Sequence, residues 1–321
     1  MVGRILDRHP AVHMFHELHF FEQMWSPGAD ATFTRREEAI DVAARLLCIE
    51  RDGGYLAHGD PAAFRGAAGR LVDRLRIRDT TALDVYRRFL FREAAHNEAA
   101  IPCEQTPRNL FYLGEILEHF PEARVIHMVR DPRDVLLSQK RKWKRRFLGA
   151  SSIPLGEAVR SWINYHPITI SRLWAAAERA AAPYADHPRV QTVAFEDVLA
   201  DPEATVRGVC TFAGIEFRRD MLAVRQVGSS NAEDQPEQRG IDADRAGTWR
   251  DGGLTDTEVY LCQKMIASQL EGLPYTPVDV SPNPLELVGR ALSFPLKLGM
   301  AFLVNLHRMN NVWDTIRRRL Q

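Results

Sequence analysis

Short apolar runs separate longer segments with helical periodicity along this chain. The clearest runs are Arg124–Val129 and Val190–Phe195, and Val12–Phe15 is a weaker one. Runs of this length, bounded by polar and turn residues, predict buried β-strands. Helical patterns dominate elsewhere. Strands that alternate with helices are typical of an α/β fold with a mostly parallel sheet.

Capping residues mark where several helices begin and end. Asp131-Pro132 and Asp201-Pro202 each place a capping carboxylate before a proline at the first helical position. Gly214 is expected to end the second of these helices. Thr34 to Glu37 and Thr255 to Glu258 have the spacing of capping boxes, and each predicts a helix start.

The pattern changes after about residue 279, which divides the chain into a domain, residues 1–279, and a tail, residues 280–321. From Ser281 to Gln321 the tail carries six Lys or Arg against two acids, among apolar helical segments. No run of about 18 apolar residues is free of charge, which argues against a spanning helix. A basic amphipathic tail can lie on a membrane surface. The more usual arrangement is a terminal helix pair packed on the domain, or a dimer contact.

The amino-acid composition limits the kinds of ligand that the protein is expected to bind. The 321 residues include 42 basic and 42 acidic side chains, so no global attraction to nucleic acid is expected, and any anion site must be local. Four distant cysteines without CxxC spacing indicate neither a disulfide framework nor a metal site. We therefore expect the protein to reside in the cytoplasm, and to lie at the inner face of the membrane if the tail binds lipid. Nothing in the pattern selects an oligomeric state.

One candidate anion site follows the strand at Val125–Val129. Arg130 stands at the carboxyl end of this strand, beside the predicted helix start, where open α/β sheets bind ligands. Ser138 lies two helical turns after Asp131 and returns to the same face, so the two side chains could grip one phosphate. The alternative is that Arg130 pairs with Asp134 and that Ser138 is an ordinary surface residue.

Four segments resemble, in the same order, the sulfotransferases that use 3′-phosphoadenosine 5′-phosphosulfate. They are EQTPR (104–108), FPEARVIHMVRDPRDVLLS (120–138), VAFEDVLADP (193–202) and RAGTWR (245–250). Gln105 stands where the family's EKTP segment usually has lysine. The resemblance implies a parallel sheet of the P-loop type flanked by helices, with that nucleotide as the sulfuryl donor.

The resemblance also implies roles for individual residues. In the family, the residues that correspond to Arg130 and Ser138 hold the donor's 3′-phosphate. The late RxGxWR loop closes over the nucleotide, and here it supplies Arg245, Gly247, Trp249 and Arg250. Glycine allows close backbone approach, arginines suit phosphate, and tryptophan offers a stacking face. The alternative is a surface turn in which Trp249 is a buried anchor.

The candidate base lies in FHELHFFE, residues 15–22. If this stretch is extended, alternation puts Glu17 and His19 on one side, where an acid and an imidazole could handle the acceptor's proton. The stretch is similar to the KExHFF element of glycan sulfotransferases. That match implies Glu17 as general base, with His19 contacting the acceptor or orienting Glu17, and it places His16 where the element has lysine. The alternative is a structural turn with Glu17 in an ion pair.

The family's opening strand and glycine-rich phosphate loop, PRSGTT in many members, have no counterpart in this sequence. Residues 1–10, MVGRILDRHP, resemble the helix directly after that loop. The first strand and the loop are therefore expected to be missing, either because Met1 is an internal methionine or because the chain is a true truncation. In both cases the chain as given is expected to be poorly active or inactive.

The sequence thus predicts a sulfotransferase that acts on a hydroxyl or amine of a carbohydrate, lipid or small-molecule acceptor. The alternative is a non-catalytic nucleotide-binding or interaction protein of the same fold that has lost the phosphate loop. A phosphotransferase is weakly supported, because no GxxxxGK[ST] motif occurs. The basic run Lys140–Arg146 favours an acidic glycan acceptor, or else it is solvated surface.

Overall fold

The structure, a computed structural model, describes residues 1–26, 31–52, 59–73, 75–151, 153–228, 230, 233–270, 273–306 and 312–320. The chain divides into two compact units. Unit 1 comprises Met1–Ala123 and the start of the last helix, and unit 2 comprises the remainder. Helices predominate among the described residues, and the strands form three two-stranded sheets. The predicted α/β class is confirmed.

Unit 1 is a helical layer around one parallel strand pair, β1–β2. Its elements are α1 (Val2–Leu6), β1 (Val12–Met14), α2 (Phe20–Gln23), α3 (Arg36–Asp52), α4 (Arg65–Val72), α5 (Ala82–His96), β2 (Ile101–Cys103) and α6 (Leu113–His119).

An aromatic core holds unit 1 together. The rings of Phe20 and Tyr86 stack at 4.0 Å between centroids, and Phe21 stacks on Tyr112 at 5.6 Å. Phe15, directly after β1, is fully buried beside Phe89. Burial of these rings fixes the chain on both sides of residues 16–19, so the polar residues between them are held at the rim of the core.

Unit 2 is built around a second parallel pair, β3–β4, and an antiparallel pair, β5–β6. Its elements are β3 (Val125–Val129), α7 (Pro132–Arg141), α8 (Leu155–Asn164), α9 (Pro167–Ala181), β4 (Val190–Ala194), α10 (Phe195–Ala200), α11 (Pro202–Ala213), β5 (Arg225–Gln226), β6 (Gln235–Arg239), α12 (Asp256–Ile266) and α13 (Pro284–Asn305). The last helix, α14 (Val312–Leu320), begins in unit 1.

The two clearest predicted strands are confirmed as β3 and β4, paired in register from Val125 with Val190 to Val129 with Ala194. The side chain of Trp174 on α9 donates its indole N–H to the carbonyl of Arg130, at 3.1 Å. This bond fixes the chain where it leaves β3. Parallel pairing brings the carboxyl ends of both strands to one edge, so Arg130 lies beside the start of α10.

Most predicted caps are present. Asp131 accepts from the amide of Arg133 at 2.9 Å, and Asp201 accepts from that of Ala204 at 3.0 Å. Gly214 ends α11 with φ of 72°. The predicted box at Thr34 is displaced by one residue: Thr34 bonds Glu38 rather than Glu37, because α3 begins at Arg36.

Candidate functional site

The first group of predicted site residues lies in unit 1, at the carboxyl ends of β1 and β2. Glu104, just after β2, accepts hydrogen bonds from the amides of Leu18 (3.2 Å) and Thr106 (3.0 Å). The amide of His19 donates to the hydroxyl of Thr106 at 3.2 Å. The segment after β1 is thus tied to the EQTPR segment after β2.

Glu17 and His19 do approach each other, with 3.6 Å between Glu17 Oε2 and His19 Nε2. The two side chains do not come together through the alternation of an extended strand, as expected. Residues 15–19 are not a strand, and His19 has a left-handed backbone with φ of 52°. Such a conformation costs a non-glycine residue about 1–2 kcal/mol, and strain of this kind often marks functional positions.

A second carboxylate faces the other side of the His19 ring. His19 Nδ1 lies 3.4 Å from Oε2 of the buried Glu22, whose other oxygen pairs with Arg108. Glu17 is half exposed, with 52% of its side chain accessible, whereas Glu22 is 3% exposed. The imidazole therefore stands between a solvent-facing carboxylate and an anchored one. Sequence reasoning missed Glu22, although its spacing of three from His19 is a usable signal.

Burial raises the pKa of Glu104, and hydrogen bonds from Thr106 and the amide of Leu18 oppose that rise. A carboxyl whose pKa is higher in the folded protein favours folding most when it is protonated. The stability it contributes is lost as pH rises through its folded pKa. Glu104 therefore organises this segment at a cost to stability that increases as pH rises toward its folded pKa.

The second group lies in unit 2 around Arg130. Its guanidinium stacks over the ring of Phe195 at 4.4 Å and donates to the carbonyl of Arg245 at 2.8 Å. Its contact with Asp134, at 3.6 Å, is too long for a good hydrogen bond. Arg130 Nε is buried, and it has no hydrogen-bond partner among the described residues. A buried guanidinium donor without an acceptor is costly, so this atom indicates a place for an anionic oxygen.

Ser138 lies on α7, one helical turn after Asp134 and on the same face. Within the part of the chain that the structure describes, the hydroxyl of Ser138 makes one long contact, of 3.5 Å, with that of Ser230. The donors fit a phosphate: Arg130 offers a planar fork and Ser138 a rotatable hydroxyl. Phosphate would be held by side chains rather than by helix amides, because the amides of Asp131 and Arg133 already donate to carboxylates.

The RxGxWR loop is held by the carboxylate of Asp134, which the sequence suggested only as an ion-pair partner for Arg130. Asp134 is fully buried and accepts from the amides of Gly247 (2.8 Å) and Trp249 (2.9 Å) and from the hydroxyl of Thr248 (2.9 Å). Gly247 has φ of 69°, which favours glycine there. The second aspartate of the RDPRD motif thus fastens the RxGxWR loop to α7.

Trp249 is buried and anchors the loop, which agrees with the alternative of a turn held by a buried tryptophan. Arg133 stacks on its ring at 4.2 Å and Arg250 at 4.7 Å, and its indole N–H lies 3.3 Å from Asp131. For Trp249 to offer a stacking face to a ligand, as its residue type suggested, Arg133 or Arg250 would have to leave the ring. Arg245 pairs with Asp242 at 3.2 Å, and its carbonyl, not its guanidinium, contacts Arg130.

Comparison with known proteins identifies the family. The family model described as "Sulfotransferase family" matches residues 1–219. Because this is more than half of the chain, the chain belongs to the sulfotransferase family, whose members transfer sulfuryl groups. No curated protein matches the chain.

Three solved structures are similar to the chain. The sulfotransferase domain from the curacin biosynthetic pathway is 17% identical with a TM-score of 0.46, covering 84% of this chain and 92% of its own. The sulfotransferase domain of the Synechococcus PCC 7002 olefin synthase is 20% identical with a TM-score of 0.46, covering 85% and 90%. A sulfotransferase from Alicyclobacillus acidocaldarius is 18% identical with a TM-score of 0.36, covering 83% and 90%.

Proposed function

We propose that this protein binds 3′-phosphoadenosine 5′-phosphosulfate and transfers its sulfuryl group to a hydroxyl or amine of a carbohydrate, lipid or small-molecule acceptor. One observation carries the donor assignment beyond the family match. Arg130 presents a buried Nε for which the described residues offer no acceptor, at the carboxyl end of β3 and next to the helix that bears Ser138. A 3′-phosphate oxygen would satisfy that donor.

The 3′-phosphate distinguishes this donor from common nucleotides, so its recognition needs a fixed charge. Phe195 supports the guanidinium of Arg130 from one face, and the carbonyl of Arg245 orients one of its terminal nitrogens. Asp134 stands nearby, but three donors from the late loop occupy its oxygens. A charge-assisted contact from a guanidinium held in this way favours phosphate strongly.

On the acceptor side, we propose that Glu17 takes the proton of the attacking hydroxyl or amine. Its half-exposed carboxylate is open to a ligand, and His19 lies within reach of it. His19 serves as a positioning residue or an acceptor contact, and Glu22 with Arg108 fixes the far side of its ring. The exposed His16, where related elements have lysine, directs its backbone amide to Glu50 at 3.0 Å.

The test of donor recognition compares adenosine 3′,5′-bisphosphate with adenosine 5′-monophosphate by isothermal titration calorimetry. The wild-type chain should prefer the 3′-phosphorylated ligand. Arg130→Gln should weaken it about tenfold to a hundredfold, the loss expected for a charge-assisted hydrogen bond. Ser138→Ala should weaken it less, because a neutral donor contributes less.

Arg218→Gln is the matched control, because Arg218 is half exposed and, among the described residues, its side chain forms its ion pair with the nearby Asp220. Equal affinity of the wild-type chain and Arg130→Gln for the bisphosphate would refute the donor site. Turnover of the labelled donor then separates an enzyme from a protein that only binds the nucleotide. Because the chain as given is expected to be poorly active, its slow transfer is compared with that of Glu17→Gln, and donor turnover no faster than in this variant would favour the non-catalytic alternative.

A further inference from the structure

Helix α13 turns an apolar surface to solvent. Every exposed position within Pro284–Asn305 is apolar, and the large side chains among them lie along one side of the helix. They are Leu285, Val288, Leu292, Leu296, Leu298, Phe302 and Leu303, with exposures from 39% to 85%. A surface helix normally shows the opposite arrangement, with polar residues outward.

Two charged residues of α13, Glu286 and Arg290, turn toward the body of unit 2, and the third, Lys297, reaches the half-exposed ring of Trp162 on the neighbouring helix α8. Arg290 donates to the buried Glu258 at 3.0 Å. Glu286 accepts from Thr255 at 2.9 Å, and the ammonium of Lys297 stacks on the ring of Trp162 at 3.8 Å. These contacts fasten the polar side of the helix to the protein and hold the apolar side outward.

The neighbouring helix α8 has the same inverted pattern. Its exposed residues Leu155, Val159 and Trp162 recur at spacings of four and three, on one face. Its charged residues turn inward, where Arg160 pairs with Glu157 at 2.6 Å and also donates to Asn305 of α13 at 2.9 Å. The outward sides of α8 and α13 therefore adjoin, and we call them together the α8–α13 face.

Length and composition would allow α13 to cross a bilayer, and it is the one described helix that passes this test. With 22 residues it is roughly 33 Å long. Spanning would require Arg290 and Lys297 to leave their partners and enter hydrocarbon, which is expensive. A helix fastened along one side is suited to lie in the plane of a membrane surface.

Charge beside the face distinguishes a lipid surface from a second copy of the chain. The short helical turn Lys142–Phe147 packs against α8, and it exposes Lys142, Lys144 and the ring of Phe147. In a symmetric dimer the same lysines would come from both copies and repel. Anionic lipid headgroups would attract them.

We propose that the α8–α13 face docks this protein on an anionic lipid bilayer. The apolar side chains enter the boundary between headgroups and acyl chains, and Trp162 lies at the interfacial level that tryptophan prefers. The lysines contact the headgroups. This docking is independent of the nucleotide site.

Sedimentation with vesicles tests the proposal. The wild-type chain should bind phosphatidylcholine vesicles that contain phosphatidylglycerol, and bind pure phosphatidylcholine more weakly. The double variant Leu292→Gln, Leu296→Gln should bind about tenfold or more weakly, since it removes two side chains that would enter the lipid. Lys142→Gln with Lys144→Gln should lose about fivefold for each lysine on anionic vesicles only.

Phe91→Gln is the matched control, because Phe91 is 56% exposed and belongs to α5 of unit 1, which is not part of the α8–α13 face. Circular dichroism checks that each variant is folded; the substituted leucines are exposed, so folding should persist. Two results would overturn the proposal: no wild-type binding to anionic vesicles, or equal binding by the leucine variant. A wild-type dimer that the leucine variant converts to monomer, without vesicle binding, would instead assign the face to a second copy.

Discussion

Replacing Asp134 by alanine tests how unit 2 holds its nucleotide-binding candidates together. The carboxylate is fully buried and receives three hydrogen bonds from Gly247, Thr248 and Trp249. It also lies 3.6 Å from Arg130. Removing it leaves two backbone amides without their acceptor and leaves the loop attached to α7 mainly through the contacts of Trp249 with Asp131 and Arg133.

The expected loss of stability is large. A hydrogen bond to a charged acceptor contributes about 1.5–3 kcal/mol, and an unsatisfied buried donor costs about 1–3 kcal/mol. Water that enters the vacated space and relaxation of the loop would recover part of the lost hydrogen-bond energy. We therefore expect Asp134→Ala to lower the free energy of unfolding by about 3–5 kcal/mol. Thr248→Val removes one bond and leaves both amides bonded, so it should cost about 1 kcal/mol.

Urea denaturation followed by tryptophan fluorescence measures both variants, with Thr248→Val as the graded control. Affinity for adenosine 3′,5′-bisphosphate should fall in Asp134→Ala even under conditions where the protein is folded, because the carbonyl of Arg245 no longer orients Arg130. An unfolding free energy within about 1 kcal/mol of the wild type would refute the role assigned to Asp134.

Three further predictions concern single positions. His19→Asn should change stability by less than about 1 kcal/mol, since asparagine tolerates left-handed backbone, yet should lower sulfuryl transfer; unchanged transfer would contradict the role of the ring. Gly253→Ala should cost about 1–3 kcal/mol in urea, because φ is 97° and a methyl group would meet Leu137 at 2.9 Å, whereas Gly156→Ala, with open space, should not destabilise. Burial raises the pKa of Cys262 to about 11, so this thiol in the native protein should resist iodoacetamide at pH 8. The stability linked to the thiol should be lost as pH rises toward 11. Labelling of Cys262 at the rate of a free cysteine would count against this.

Local features of the fold could be predicted from the sequence because their causes are local. The apolar runs became β3 and β4, and the Asp-Pro pairs became helix starts. The box at Thr34 was wrong by one residue, since either of two adjacent glutamates can satisfy the spacing and only the structure shows which one does.

Long-range partners could not be predicted in the same way. The sequence indicated that Arg130 could pair with Asp134, but the bonds of Asp134 run to residues more than a hundred positions away. Glu17 and His19 do meet, though through a left-handed backbone at His19, in a segment that lies between the buried Phe15 and Phe20. Such contacts depend on packing, which periodicity does not encode.

The orientation of the C-terminal tail also could not be predicted from the sequence. Its apolar and basic composition suggested an amphipathic segment, but periodicity alone does not tell which side faces the protein. The pairing of Arg290 with Glu258, about thirty residues earlier in the chain, turns the apolar side of α13 outward.

The most direct measurement is a crystal structure of the protein with adenosine 3′,5′-bisphosphate. We predict that the guanidinium of Arg130 and the hydroxyl of Ser138 both lie within about 3 Å of oxygens of the 3′-phosphate. A bound nucleotide whose 3′-phosphate contacts neither side chain would contradict the account.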